Sequence, residues 1–228
     1  MISLKGVTKT FKRTTVLNGI NLEFAAGDRV ALIGSNGAGK TTLIRCLLGE
    51  YQFEGSISLN GENPRENRKA VLERIGFVPQ LPPPLKMPVQ QLLNFSAGVC
   101  GCSTDEMKAV AAQLGLDLEP LYKRPFEKLS GGQKQKLLIS IALGRPTSLL
   151  IMDEPAANLD PEARHTLFSL LEKKQEESAM LISSHRLDEV ASLVNRVIEL
   201  DRGKVVLDDR VDDSIDLSSL LNCNLTTT

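Results

Sequence analysis

Gly34-Ser35-Asn36-Gly37-Ala38-Gly39-Lys40-Thr41 gathers the residue types that can hold a polyphosphate. Glycines let successive backbone N–H groups turn inward around phosphate oxygens, a lysine supplies a point charge, and a hydroxyl residue can ligate a divalent cation. The segment stands after a short, mostly apolar run at residues 29–33 and before helical spacing at residues 40–49. The start of that helix would add its own partial positive charge at the same spot. Lys40 is expected at the β- and γ-phosphates of a nucleotide, Thr41 on Mg2+, and Thr42 within the same binding set.

A second group of chemistry-bearing residues, Asp153 and Glu154, closes the apolar run at residues 149–152. A carboxylate at the C-terminal edge of a buried strand, downstream of a phosphate loop, is placed to hold the shell of a Mg2+ ion. The next carboxylate is placed to orient or deprotonate an attacking water. Together the two motifs define a P-loop NTPase. Leu129-Ser130-Gly131-Gly132-Gln133 then adds a second anion cradle, built from a hydroxyl and exposed N–H groups at the start of another helix. A single ATP does not need two cradles from one chain, so the second is expected to serve a nucleotide held by another copy or a paralogue.

Positioning such groups calls for an α/β framework. Residues 20–24 and 56–59 alternate apolar and polar, as half-buried strands do, and the latter stop at the hairpin signal Asn60-Gly61. Residues 29–33, 149–152 and 179–183 are short apolar runs suited to buried parallel strands. Helical spacing marks residues 40–49, 107–114, 133–143 and 161–174, the last opened by Pro161. Strands alternating with helices predict a parallel α/β sheet. From about residue 81 to about 145 no strand pattern occurs, and helical segments follow the cluster Pro82-Pro83-Pro84. A helical subdomain is expected there, inserted into a core of about residues 1–80 and 146–210. Beyond it lies a short tail, residues 211–228, with one helix candidate at 214–221.

The 228-residue chain is 42% hydrophobic and 24% charged, and its formal net charge of -1 gives no bulk electrostatic reason to expect nucleic acid. No run approaches the ~20 apolar residues needed to cross a bilayer, and the first 13 residues lack the apolar core of a signal peptide. A cytoplasmic location is expected, with any membrane link made through a partner. Cys46, Cys100, Cys102 and Cys223 read as reduced thiols. Cys100 and Cys102 could offer two thiolates to a soft metal, but no further Cys or His lies close in sequence to complete a tetrahedral set.

With these motifs in this order, residues 1–207 resemble the nucleotide-binding subunit of the ABC transporter family. The resemblance implies a RecA-like core with an antiparallel β portion at its N-terminus and an inserted α-helical subdomain. It also implies ATP and Mg2+ as cofactors, ATP hydrolysis as the activity, and a head-to-tail dimer. In that dimer Ser130, Gly131, Gly132 and Gln133 of one copy would cover the nucleotide on the phosphate loop of the other. Phe11 falls where the family stacks an aromatic on adenine. Gln80, in Gly76-Phe-Val-Pro-Gln80, falls at a glutamine that senses Mg2+ and the γ-phosphate. Asp160, in Asn158-Leu159-Asp160, falls at the loop that crosses the dimer interface, and His185, after Ser183-Ser184, at a histidine that contacts the γ-phosphate. Glu154, His185 and Gln80 are thereby the implied catalytic group.

The implied partner is a separate transmembrane permease, which would hold the chain at the cytoplasmic face of the membrane. Residues 81–89, apolar and proline-rich, are expected either as part of the docking surface or as a stiffened connector. Where many relatives carry a small hydroxyl residue, this chain has Ala156-Ala157, which would remove a hydrogen bond across the dimer. A soluble ABC ATPase acting on a non-membrane machine is the alternative reading, disfavoured by the compact helical insert and the single domain.

Overall fold

Ile2, Leu4 and Val7 are all buried along the first strand, although the step from Leu4 to Val7 breaks strict alternation. The reason is a bulge. Strand β1 (Ile2–Phe11) pairs antiparallel with β2 (Thr14–Phe24), and the register shifts between Leu4 and Val7 and again between Val7 and Lys9. Gly6 (φ 60°) and Gly19 (φ 67°) take the left-handed conformation at these shifts and return Val7 and its partner Ile20 to the buried face. Strand β2 therefore runs from Thr14, well before the alternating stretch at 20–24. Strand β4 (Glu54–Leu59) completes a three-stranded sheet in which β1 is central.

The structure, a computed structural model, describes residues 1–174, 178–184 and 190–211. The helix candidate at 214–221 and Cys223 lie outside the described residues. The chain divides into one unit of Met1–Leu72 with Ala179–Thr228 and a second of Glu73–Ser178.

In the first unit, strand β3 (Arg29–Ile33) lies between β7 (Ala179–Ser183) and β8 (Arg196–Asp201), parallel to both. All of β7 and all of β3 except Arg29 are buried, which is why both read as unbroken apolar runs. An edge strand β9 (Lys204–Arg210) returns antiparallel to β8 through Arg202-Gly203, whose φ values of 44° and 76° suit a two-residue hairpin turn. Helix α1 (Lys40–Leu47) follows β3, and a short α2 spans Arg68–Leu72. Asn60 and Gly61 do form a tight turn (φ 51° and 88°), with Leu59 and Glu62 exchanging N–H···O bonds of 2.8 and 2.9 Å. That turn leads only to the isolated Leu59–Glu62 bridge.

In the second unit, strands β5 (Ile75–Val78) and β6 (Leu149–Asp153) are parallel neighbours. Between them in sequence come α3 (Val89–Cys100), α4 (Asp105–Gln113), two 3-10 turns and α5 (Gly131–Leu143), with no strand among them. Val89, Leu93, Met107, Phe126 and Leu137 form the centre of their shared core. Helix α6 (Pro161–Lys173) follows β6. The arrangement is the expected α/β class: a P-loop NTPase core with an antiparallel N-terminal portion and an inserted set of helices.

Candidate functional site

Strand β3 delivers the chain to Gly34, and α1 takes it up again after Gly39. Gly34 has φ 139°, and a Cβ there would stand 2.2 Å from the Leu200 carbonyl oxygen. Gly39, the N-cap of α1, has φ 113°, and its Cβ would stand 2.8 Å from Leu17 Cδ2 and 3.1 Å from Val16 O. Conformation and space both demand glycine at these two positions. Ser35, Asn36 and Gly37 are exposed, while Ala38 is buried and its N–H donates to Ser35 O at 3.1 Å. Lys40 Nζ donates to Gly34 O at 2.6 Å and to Ser35 O at 3.2 Å. Thr41 is exposed and Thr42 half-buried on the first turn of α1, a turn with no acidic residue. Lys40 and the first helical N–H groups thus give this loop a net attraction for anions.

Phe11 ends β1 with 39% of its surface exposed. Its ring meets Tyr51 edge-on, with centroids 5.2 Å apart, and Lys9 Nζ lies 4.5 Å from the Phe11 centroid. Arg45, on α1, lies 5.6 Å from the Tyr51 ring and donates from Nη1 to its hydroxyl at 3.3 Å. Phe11 is the aromatic that sequence motifs mark; Tyr51, just past the glycine that ends α1, is a second aromatic in the same cluster.

In the second unit the start of α5 is a capping box. Ser130 Oγ accepts from Gln133 N–H at 3.2 Å, and Gln133 Oε1 accepts from Ser130 N–H at 3.0 Å. Ser130 and Gln133 are therefore bound to one another. Gly131 is exposed, with open space where a Cβ would be, whereas a Cβ on Gly132 would lie 3.2 Å from Asn158 O.

Asp153 is the last residue of β6 and only 5% exposed. Glu154 follows with φ 51°, a conformation that few non-glycine residues adopt. Pro155 then opens a turn in which Ala157 N–H donates to Glu154 O at 3.3 Å and Leu159 N–H to Ala156 O at 3.2 Å. Asp160 caps α6, its Oδ1 accepting from Ala163 N–H at 2.8 Å, while its Oδ2 pairs with Lys136 Nζ at 2.8 Å. The hydrogen bond from Lys136 holds this carboxyl below the usual carboxylate range. Gln80 is exposed two residues beyond Val78, which pairs with Met152, so Gln80 and Glu154 leave neighbouring parallel strands at the same offset.

One buried polar residue of this region lies outside the motifs that mark the site in the sequence. Gln135 is completely buried, and its Nε2 donates to Pro155 O at 3.0 Å. It stands in line with Ile139 and Ala142 on the buried face of α5, so helical periodicity alone marked it as a polar residue in an apolar stripe. His185 lies outside the described residues. Of the cysteines, Cys100 Sγ accepts from Arg145 Nη1 at 2.9 Å, and burial pushes the Cys46 thiol up to about 11.

A glycine loop between a buried strand and a helix, together with a strand that ends in a buried carboxylate, defines the P-loop NTPase class. Residues 17–157 match the sequence profile of the ABC transporter family. The lantibiotic transport ATP-binding protein SrtF of Streptococcus pyogenes is 34% identical, over 97% of this chain and 96% of its own length. The glutamine transport ATP-binding protein GlnQ of Escherichia coli (strain K12) is 32% identical, over 91% of this chain and 90% of its own. A solved structure of the ATP binding subunit of an ABC transporter matches with a TM-score of 0.86 at 26% identity, covering 97% of this chain and 98% of that one. The chain belongs to the ABC transporter family, as a nucleotide-binding domain.

Proposed function

We propose that the chain binds and hydrolyses ATP as one of a pair of such subunits and drives a separate transmembrane permease. The observation that carries this reading is the pair of N–H cradles on one chain, at the starts of α1 and α5. A nucleotide on residues 34–42 would use the first, leaving the second for a nucleotide held by another copy or a paralogue. Head-to-tail pairing would then make each ATP bridge two chains.

On this reading Phe11 stacks on adenine, with Tyr51 beside it. Lys40 turns from Gly34 O and Ser35 O to the β- and γ-phosphates, exchanging neutral acceptors for charged ones. Thr41, Gln80 and Asp153 would each ligate through an oxygen, a donor set that suits Mg2+. When bound, that ion neutralises charge on the phosphates. Glu154 orients the attacking water or takes its proton on a carboxylate oxygen, while Gln80 and His185 attend the γ-phosphate. Ser130 Oγ and the N–H groups of Gly131 and Gly132 face the partner's nucleotide, and Asp160 belongs to the loop at the interface.

No helix among the described residues is long and apolar enough to cross a membrane, so transport would need a partner that does. The helical part, about residues 81–145, is proposed to carry the contact. Leu81 is 79% exposed, and Phe95 (60%) and Val99 (37%) follow on α3 at the spacing that places two side chains on one face. The chain would thereby be held peripherally at the cytoplasmic face.

Two experiments test the reading. The Glu154→Gln variant should bind ATP and dimerise with it while turning over hardly at all; wild-type turnover would remove Glu154 from its role. Affinity purification of the native chain from gently extracted membranes should bring down a multi-span membrane protein. Recovery of soluble partners alone would move the ATPase to a non-membrane machine.

A further inference from the structure

The start of α5 and the segment that follows Glu154 are joined at several points. Gln135 Nε2 donates to Pro155 O at 3.0 Å, Lys136 Nζ pairs with Asp160 at 2.8 Å, and Gly132 lies so near Asn158 O that a Cβ would reach 3.2 Å from it. Among these contacts the one made by Gln135 is unusual. Its side chain is fully buried, and among the described residues its Oε1 has no hydrogen-bond partner. The carbonyl of Pro155 can only accept, so the amide nitrogen must face it and the oxygen must face away. A buried acceptor left unsatisfied opposes folding, typically by ~1–3 kcal/mol. An apolar side chain of the same shape would remove that term but leave the buried Pro155 carbonyl without this donor, so the two effects offset and stability alone does not single out glutamine here.

What the amide reaches does account for it. Pro155 immediately follows Glu154, whose φ of 51° is a conformation that must be held by its surroundings. The turn from Glu154 to Ala157 is closed by a backbone bond of 3.3 Å, near the long end for N–H···O. A buried side-chain tie to the middle of that turn is therefore well placed to fix where Glu154 points.

We propose that Gln135 is a positioning residue: through the Pro155 carbonyl it sets the orientation of Glu154 from the helix that carries the Ser130–Gly132 cradle. The inference rests on the reading above, in which Glu154 acts on water beside its own chain's nucleotide and the cradle engages the partner's. It adds a physical link between the two. A displacement of α5 as its cradle takes up the partner's nucleotide would be delivered through the Gln135 amide to the turn that holds Glu154.

A double-mutant cycle on the full chain, in its functional dimer, tests this. Gln135→Met matches the shape without a donor, and Gln135→Leu is a second variant should Met repack. Each should keep ATP affinity within about twofold and lower kcat by about tenfold or more, with thermal stability changed little, since one unsatisfied buried acceptor replaces another. Added to Glu154→Gln, either should lower turnover little further, because both changes remove the same group from the reaction. ATP-dependent dimerisation of Glu154→Gln should survive the second change, which a collapse of the cradle helix would not allow. Full kcat in both Gln135 variants, or losses that multiply independently with Glu154→Gln, would overturn the inference. Full turnover in Glu154→Gln by itself would remove the reading beneath it, and this inference with it.

Discussion

The capping role of Ser130 and the nucleotide contact proposed for it are separable, and substitutions there can tell them apart. Its Oγ accepts the Gln133 N–H at 3.2 Å and caps α5, while the same hydroxyl is assigned to a nucleotide on the partner chain. Ser130→Ala deletes the capping acceptor but leaves the reciprocal bond from Ser130 N–H to Gln133 Oε1 at 3.0 Å. Loss of an N-cap oxygen typically destabilises by ~1 kcal/mol. In a domain of this size that corresponds to a fall in Tm of roughly 2–4 °C, so the variant remains folded at 25 °C. Any large loss of turnover at 25 °C must then come from the nucleotide contact. Ser130→Asn completes the argument, because Asn caps a helix about as well as Ser but places an amide where a hydroxyl stood. The expected result is a Tm restored to within about 1 °C of wild type, with turnover still depressed. Thermal unfolding followed by far-UV circular dichroism, with ATPase rates at saturating ATP, supplies both readouts. If Ser130→Asn regains turnover together with Tm, the serine is a helix cap and nothing more, and the cradle assignment fails.

Three other outcomes follow from the geometry. Lys40→Ala should weaken ATP binding by roughly 10- to 150-fold, the equivalent of a charge-assisted contact of ~1.5–3 kcal/mol, as measured by titration with a fluorescent nucleotide; unaltered affinity would contradict the phosphate-loop role. Asp160→Asn keeps a helix cap but loses the pairing with Lys136, and the pH dependence has a definite sign. Because the folded carboxyl lies below its usual range, its contribution is present above the ordinary carboxylate pKa and disappears as pH falls through the lowered value. The gap in Tm between wild type and Asp160→Asn should therefore exist at neutral pH and close in acid; a gap that widened in acid would reverse the assignment. Finally, Leu81→Glu and Phe95→Glu should leave basal ATPase intact and uncouple it from transport in reconstituted vesicles, since both side chains face solvent in the isolated chain; coupled transport in both variants would move the docking surface elsewhere.

The parts of the fold that were legible in the sequence are those with unbroken periodicity. Strands β3, β6 and β7 are buried along almost their whole length and appear as runs of apolar residues. The elements that were missed share a different physics. In β1 and β2 the inward residues skip at Gly6 and Gly19, so a period of two is lost where the bulges fall. Strands β8 and β9 carry another shift between Glu199 and Leu200, and β9 is an edge strand with no fully buried residue, leaving little pattern to read. Strand β5 is only four residues long. The candidate site stands out in the sequence more readily than its frame because phosphate binding would dictate residue types directly, whereas a buried hydrogen bond such as that of Gln135 depends on a partner twenty residues away in the chain.

The two alanines after Pro155 now take on a sharper meaning. Read as sequence, Ala156-Ala157 implied a missing hydroxyl at the dimer interface. In the structure Ala156 is buried, and the turn is built from backbone bonds at 3.3 and 3.2 Å. Neither alanine can add a side-chain bond to hold that turn. The side-chain ties from α5, Gln135 to the Pro155 carbonyl and Lys136 to Asp160, flank the alanines on either side. Without a polar side chain at Ala156 or Ala157, this stretch follows whatever holds its ends, and here both ends are held by the same helix. Restoring a hydroxyl with Ala157→Ser, at an exposed position, would give the turn a local anchor and should lessen the effect of Gln135→Met on turnover. If the two changes combine as independent factors in kcat, the ends do not govern the turn, and the orientation of Glu154 must be set from the β6 side.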